Sequence, residues 1–376
     1  MELRNNYKKL GDYIREIDVR NKGLRVTRLL GVSNEKYFIP SIANIVGTDL
    51  SNYKIVKRNQ FAFGTVTSRN GDKLSIAILK EDECIVSSSY VVFEVIDESK
   101  LNPDYLMMWL RREEFDRYAR FMSHGSVREL FGWDKLCDVE LPIPDIGEQL
   151  KYVNDYESIQ NAIKIKEAIN NNLNELIFAR YKTFQNSAVP VKTMKLGEIA
   201  TSVLGGTPSR DVPEYWNGTI SWINSGKIND FRIIDASERI TEIGLKKSAT
   251  TLMPKHTVVL AITGATLGQF SILLIDSCAN QSVIGILEND KLPYEFIYPY
   301  IRFELFELMR KQTGGAQMHI NKQNVDDMLI KVPENTALMN WVNIVRPLYL
   351  EIENNCFEIE KLNTLSNLLI AKLAQQ

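Results

Sequence analysis

The chain has 376 residues, 44% hydrophobic and 24% charged, with 45 Lys and Arg against 47 Asp and Glu for a formal charge of −2. About 150 residues per domain suggests two or three domains, and the composition excludes a disordered chain, a collagen or a simple coiled-coil rod. The balanced charge offers nucleic acid or an anionic membrane no bulk attraction, so any DNA contact has to be local.

In chain order, residues 1–30 come first, with eight basic side chains (Arg4, Lys8, Lys9, Arg15, Arg20, Lys22, Arg25, Arg28) against four acids. That local +4 reads either as a solvated face or as a phosphate-contacting one. Met1 to Gly11 is polar and does not resemble a signal peptide. Strands are expected at Ser75–Leu79 and Val91–Ile96, and between them and the opening stretch lies the turn Thr67-Ser68-Arg69-Asn70-Gly71-Asp72-Lys73. Arg69, Asn70 and Lys73 there are of the type that reads base edges and phosphates. A helix over Asp104–Phe121 starts at Asn102-Pro103, with Pro in the first turn. The loop His124-Gly125-Ser126-Val127-Arg128 precedes a strand ending in Pro, and a long helix runs from Glu148 to about Phe184.

The second half repeats that plan. Leu10-Gly11-Asp12 returns as Leu196-Gly197-Glu198, a shift of 186; Leu101 to Leu106 answers Leu292 to Ile297, a shift of 191; Leu136, Val139, Leu141 and Pro144 answer Val325, Met328, Ile330 and Pro333, a shift of 189. Ordered matches with so little drift indicate two tandem copies of a unit about 188 residues long. The expected strands of the second copy are Val258–Thr263, Phe270–Asp276 and Ser282–Leu287, followed by a helix over Tyr294–Lys311 and a long helix from Leu338 to about Ala374. In that last helix Leu348, Ile352, Asn355, Ile359, Leu362, Ser366, Leu369 and Leu373 repeat at 4-3-4-3 spacing, and a shift of 189 carries the register onto Ile159, Ile163, Lys166, Asn170, Leu173, Ile177, Arg180 and Phe184. About 37 residues at 1.5 Å each make a rod roughly 55 Å long. Polar Lys166, Asn170 and Arg180 on the seam favour one defined partner, and the narrow seam argues against helices that merely pack on their own domains. The expected architecture is α+β, with two β-rich heads at 1–146 and 188–334, related by a pseudo-twofold. Two long helices at 147–187 and 335–376 form an antiparallel coiled coil.

Catalytic patterns are missing. There is no phosphate loop and no HExxH; Asn102-Pro103-Asp104-Tyr105 resembles a methyltransferase motif only superficially; and Glu148 to Lys151 spaces a nuclease motif one residue too long. Cys84, Cys137, Cys278 and Cys356 stand alone, so a reducing cytoplasm and idle thiols are expected, with no metal site and no cofactor. No apolar stretch approaches the roughly 18 residues needed to span a bilayer. Binding chemistry remains. Gly205-Gly206-Thr207-Pro208-Ser209-Arg210 with Tyr215-Trp216-Asn217-Gly218 combines NH-rich turns and aromatics, and Gly314 to His319 brings Gln317 and His319 to the place that His124, Ser126 and Arg128 hold in the first copy. Thr207, Ser209, Arg210, Tyr215, Trp216 and Lys322 complete the candidate DNA-contacting set.

Leu196-Gly197-Glu198-Ile199-Ala200, Gly205-Gly206-Thr207-Pro208-Ser209, Glu214-Tyr215-Trp216-Asn217-Gly218 and Ile220-Ser221-Trp222-Ile223 resemble the opening of a target recognition domain in the specificity subunit of type I restriction-modification systems. The resemblance extends to Val139–Pro144 with Glu148-Gln149 and to Met328–Pro333, each followed by a long helix. The first copy lacks Gly-Gly-Thr-Pro-Ser, and the second lacks Glu-Gln after Pro333. The resemblance implies a non-catalytic subunit whose two heads each read half of a split double-stranded DNA site. The coiled coil would set the spacer and dock two adenine-N6 methyltransferase subunits that hold S-adenosylmethionine, and motor-nuclease subunits would join for cleavage. The alternatives are a coiled-coil adaptor with carbohydrate- or protein-binding heads and an unrecognised catalyst.

Overall fold

The computed structural model describes residues 7–41, 47–67, 73–123, 129–187, 190–310 and 320–375. The chain opens with short strands β1 (Tyr7–Lys9), β2 (Ile14–Ile17), β3 (Leu30–Val32), β4 (Phe38–Pro40), β5 (Lys54–Val56), β6 (Phe61–Gly64), β7 (Ile76–Ile78), β8 (Cys84–Val86) and β9 (Tyr90–Val95). Helices α1 (Pro103–Leu110), α2 (Glu113–Phe121) and α3 (Trp133–Cys137), strand β10 (Glu140–Pro142) and the long helix α4 (Ile146–Ser187) follow. The second half runs β11 (Pro190–Lys195), α5 (Leu196–Ile199), β12 (Thr201–Leu204), β13 (Trp216–Ile223), β14 (Glu238–Ile240), α6 (Glu242–Lys246), β15 (Val258–Ala261), β16 (Phe270–Ile272), β17 (Cys278–Ala279) and β18 (Val283–Leu287). It closes with α7 (Tyr294–Arg310), α8 (Lys322–Asp326), β19 (Leu329–Pro333) and α9 (Asn335–Lys372). This is an α+β fold, and among the described residues no helix is long and apolar enough to cross a membrane.

The chain divides into two compact units, one of residues 1–163 with 362–376 and the other of residues 164–361. Their main sheets have the same topology. In the first unit the antiparallel order is β2-β9-β6-β7, and in the second it is β12-β18-β15-β16. Each unit also closes its start onto its end, through β1 with β10 (Lys9 opposite Glu140) and β11 with β19 (Lys195 opposite Leu329). At the corner that follows, the Leu10 amide donates to the Val139 carbonyl at 2.8 Å, and the Leu196 amide donates to the Met328 carbonyl at 2.8 Å. Glycine is required at this corner. A Cβ at Gly11 would sit 2.9 Å from the Cys137 Cβ, and one at Gly197 would sit 2.8 Å from the Asp326 Cβ. Matched positions are buried alike, since Leu101 and Leu292, Tyr105 and Phe296, Leu136 and Val325, and Leu141 and Ile330 are all fully enclosed. The sequence pairing leaves out one strand, β6, which occupies the place of β15.

The units differ in their additions and in one helix. Ribbons β3–β4 and β5–β8 belong to the first unit, and the sheet β14-β13-β17 belongs to the second. Asn102 caps α1 by accepting from the Asp104 and Tyr105 amides, with Pro103 in the first turn, as the sequence suggests. The single helix expected over Asp104–Phe121 is instead two, broken at Arg111 and Arg112. The last carbonyl of α1, that of Leu110, is taken by the buried Lys36 ammonium at 2.6 Å. In contrast, α7 continues unbroken to Arg310.

The fully buried Gln149 joins the start of α4 to the start of α1, accepting from the Asn102 amide and donating to the Lys100 and Pro144 carbonyls, all at 2.8 Å. Its counterpart 189 residues on is Leu338, 1% exposed in an apolar core, which accounts for the second copy's lacking Glu-Gln.

Within each unit the two long helices run antiparallel. In the first, Val153 shares a core with Leu369 and Leu373, and Gln160 donates to the Ser366 hydroxyl. In the second, Lys166 bonds Asn355 and pairs with Glu358, the Asn355 amide donates to the Asn170 oxygen at 3.0 Å, and Tyr181 and Phe184 pack on Trp341. Of the seam positions, Ile163, Ile177, Ile352 and Leu373 are buried, whereas Ile159, Leu173, Leu348, Ile359, Leu362 and Leu369 are half-buried. Two expectations are corrected. Arg180 points to solvent and Tyr181, 3% exposed, takes the inward position. The face is also wider than a two-position seam. Leu338, Trp341, Val342, Val345, Tyr349 and Ile352 all enter the second unit's core, so this part of α9 packs on its own domain as well as on α4.

Candidate nucleic-acid interface

The Gly-Gly-Thr-Pro-Ser and Tyr-Trp-Asn-Gly segments come together at one end of the β14-β13-β17 sheet. The glycines are there for packing. A Cβ on Gly205 would lie 2.1 Å from the Asn280 carbonyl oxygen, one on Gly206 2.6 Å from the Thr250 nitrogen, and one on Gly218 2.4 Å from the Ile240 carbonyl oxygen. Their amides are already used, Gly205 donating to the Val283 carbonyl and Gly206 to the Ala279 carbonyl. The expected NH-rich cradle is therefore a backbone lock, with those two amides turned inward.

Arg210 is held by this lock. Its guanidinium makes a two-point bridge to Glu238 at 2.5 and 2.7 Å and lies 3.7 Å from the centre of the Trp216 ring and 5.3 Å from that of Trp222. The two indoles meet edge to face at 5.3 Å, and they donate to the Ser209 and Gly206 carbonyls. The hydrogen bond and charge of Arg210 hold the Glu238 carboxyl below its usual range. Thr207, Ser209 and Arg210 are exposed, with the Thr207 hydroxyl donating to Gln281, while Tyr215 and Trp216 are half-buried. The result is a rigid, solvent-facing rim of hydroxyl, guanidinium and aromatic groups.

Helix α6 extends that rim. Gly244 fits against the Tyr215 carbonyl, where a Cβ would come within 2.5 Å, and α6 ends in the exposed cations Lys246 and Lys247, which make no ion pair among the described residues. Sequence reading missed both, because a KK pair at a helix end carries no pattern of its own.

Of the other candidates, two are described. Lys73 is exposed and paired with Glu35 at 2.6 Å, and Lys322 is exposed and paired with Asp326 at 2.6 Å. Arg69, Asn70, His124, Ser126, Arg128, Gln317 and His319 lie outside the described residues. The basic run over residues 1–30 is largely neutralised by acids distant in sequence. Arg15 pairs with Glu94, Arg25 with Glu83, Arg28 with Glu81 and Lys9 with Asp138, while Arg20 uses nearby Asp18. The local +4 is thus not a free field.

Among the described residues no group of His, Cys, Asp and Glu could hold a metal. The four thiols are free, and burial pushes Cys84 up to about 12 and Cys278 and Cys356 up to about 11, leaving them unreactive at neutral pH.

Residues 188–361 match the family model of the type I restriction modification DNA specificity domain. The chain is 23% identical over 278 residues to the EcoR124I/EcoR124II specificity subunit of Escherichia coli, covering 69% of this chain and 66% of that one. It is 20% identical over 380 residues to the MjaIX specificity subunit of Methanocaldococcus jannaschii, covering 90% and 87%. In fold it is similar to the crystal structure of a type I restriction-modification S subunit from M. genitalium, with a TM-score of 0.58 at 14% identity over 99% of this chain and 98% of that one. Residues 188–361 thus carry a type I restriction modification DNA specificity domain, and the chain as a whole is similar to specificity subunits of type I restriction-modification systems.

Proposed function

We propose that each unit reads one half of a bipartite site in double-stranded DNA, with recognition domains at 1–146 and 188–334 carried on helices 147–187 and 335–376. In this reading the helices hold the heads in a pseudo-twofold arrangement, set the length of the unread spacer and dock two methyltransferase subunits. Those subunits supply S-adenosylmethionine and the adenine-N6 chemistry, and motor-nuclease subunits join for cleavage, all in the cytoplasm. The supporting observation is that one strand order, β2-β9-β6-β7 and β12-β18-β15-β16, occurs twice in one chain, each copy closed by the same glycine corner. Two alike heads suit a target with two separate halves. In the second unit the reading surface is the rim of Thr207, Ser209, Arg210, Tyr215 and Trp216, joined by Lys246 and Lys247. In the first, the candidates are Lys73, which is exposed, with Arg69 and Asn70 close to it in sequence. Near-neutral total charge then means that phosphate contacts are shared with the partners, so the isolated chain binds DNA modestly and with steep salt dependence.

The test is an exchange of residues 190–330 for those of a related chain, followed by genome-wide mapping of methylated adenines. One half-site changes and the other stays. A change in both halves refutes independent reading.

A further inference from the structure

The guanidinium of Arg210 carries five N–H donors in a rigid fork. Two of them, one on each Nη, go to the Glu238 carboxylate at 2.5 and 2.7 Å. One face of the fork is covered by the Trp216 ring, whose centre is 3.7 Å away. What stays open is the side edge. There Nε–H and a second hydrogen of Nη2 form a parallel pair of donors with no acceptor among the described residues, on a side chain 53% exposed. Both supports are themselves fixed. Glu238 lies in β14 opposite Trp222 of β13, and the Trp216 indole donates at 3.1 Å to the carbonyl of Ser209, the residue before Arg210. A long side chain is thereby given one orientation before any ligand arrives.

The charge beside that edge decides what it suits. A phosphate oxygen reaching it would come alongside the Glu238 carboxylate, anion against anion, whereas an uncharged base edge meets no such repulsion. Lys246 and Lys247 are the contrast. They are exposed and make no ion pair among the described residues, so their full charge is available to phosphate. Two parallel donors call for two adjacent acceptors, and in the major groove guanine presents these as N7 and O6, while adenine sets its N7 beside a donor.

We propose that Arg210 reads a guanine in the half-site of the second unit through Nε and Nη2, with Glu238 as the positioning residue that presents this edge and turns phosphate away. The proposal rests on the DNA-reading role of the rim, and it separates a base-reading side chain from the phosphate-gripping lysines of α6.

The test uses the full chain assembled with its methyltransferase subunits, as wild type, Arg210→Lys, Glu238→Gln and the double variant Lys246→Gln with Lys247→Gln. Methylated adenines are mapped genome-wide, and affinity for a duplex bearing the wild-type site is measured across a salt series. Arg210→Lys keeps the cation but loses the two-donor edge, so preference for guanine at one position of one half-site should fall roughly tenfold or more, with the salt dependence unchanged. Glu238→Gln releases the guanidinium towards phosphate, so the same position relaxes and the slope of log affinity against log salt steepens by about one. A bridge that only braced the fold would lower thermal stability and move neither readout. The lysine variant should make the slope shallower by about two and leave base preference intact. If Arg210→Lys leaves every position as strict as in the wild type, or Glu238→Gln leaves the salt slope unchanged, the assignment is overturned while the specificity reading stands. If the wild-type assembly methylates DNA without sequence preference, the specificity reading fails first and the assignment with it.

Discussion

Lys36 and Asp116 form the most enclosed ion pair of the first unit, and their removal gives a demanding test of how that unit is held together. The pair is 2.8 Å long, with side chains 5% and 10% exposed. The ammonium also donates to the Leu110 carbonyl, and the carboxylate accepts from the Leu74 amide at 3.0 Å. Burial lowers the Lys36 pKa and raises that of Asp116, so both charges are held against their preference for water. Asp116→Ala leaves an ammonium facing one carbonyl, and Lys36→Met leaves a carboxylate with one amide. Each is expected to cost about 3–5 kcal/mol, whereas Lys36→Met with Asp116→Leu removes both charges and costs far less than the sum. The deficit of Asp116→Ala should also shrink as pH rises. Its stranded lysine has a folded pKa below the unfolded value, so the penalty is full at low pH and is relieved as the folded state sheds the proton. Urea unfolding of the full chain gives the energies, and hydrogen exchange at Leu30–Pro40 localises the loss. Single variants within about 1 kcal/mol of wild type, or a double variant as poor as the sum of the singles, would show that the pair is not what clamps β3–β4 to α1 and α2.

His256 has a backbone φ of +71°, stacks on Tyr294 at 4.3 Å and faces Glu353 from one ring nitrogen at 3.3 Å and Glu288 from the other at 3.6 Å. Burial opposes its charge, but Glu288 and Glu353 outweigh that and raise its pKa above the ordinary 6.5. Its stabilising contribution is therefore complete below that ordinary value and fades as pH climbs through the raised one. The wild type should lose more thermal stability than His256→Gln between about pH 6 and about pH 9, and parallel profiles would contradict this. Inserting four residues into both α4 and α9, where the two units divide them, adds roughly 6 Å of helix, equivalent to about two base pairs. Methylation mapping should then find a longer spacer between unaltered half-sites; an unchanged spacer rules out the helices as its measure.

The duplication was legible because the glycine corners and the enclosed Leu101/Leu292 and Tyr105/Phe296 positions tolerate little change. The long helices were legible because one heptad register runs through both. What escaped depends on partners far apart in sequence. The break after Leu110 needs Lys36 of another element, Arg210 finds Glu238 across 28 residues, and Arg15 finds Glu94 across 79. No local periodicity encodes such meetings. Tyr181 rather than Arg180 faces inward because the place is enclosed by Phe296, Phe303 and Trp341, where a tyrosine ring packs without the desolvation cost of a guanidinium.

The tight fit around Gly205, Gly206, Gly218 and Gly244 separates two kinds of information that share one stretch of chain. Carbonyl and amide atoms within 2.1–2.6 Å of a would-be Cβ forbid replacement at those four places, while Thr207, Ser209, Lys246 and Lys247 face water and can vary at little structural cost. The most recognisable letters therefore advertise the chassis. On the proposed reading of the rim, they stay silent about the address it carries, so two chains bearing the same motif can be tuned to unrelated targets by rewriting the rim alone.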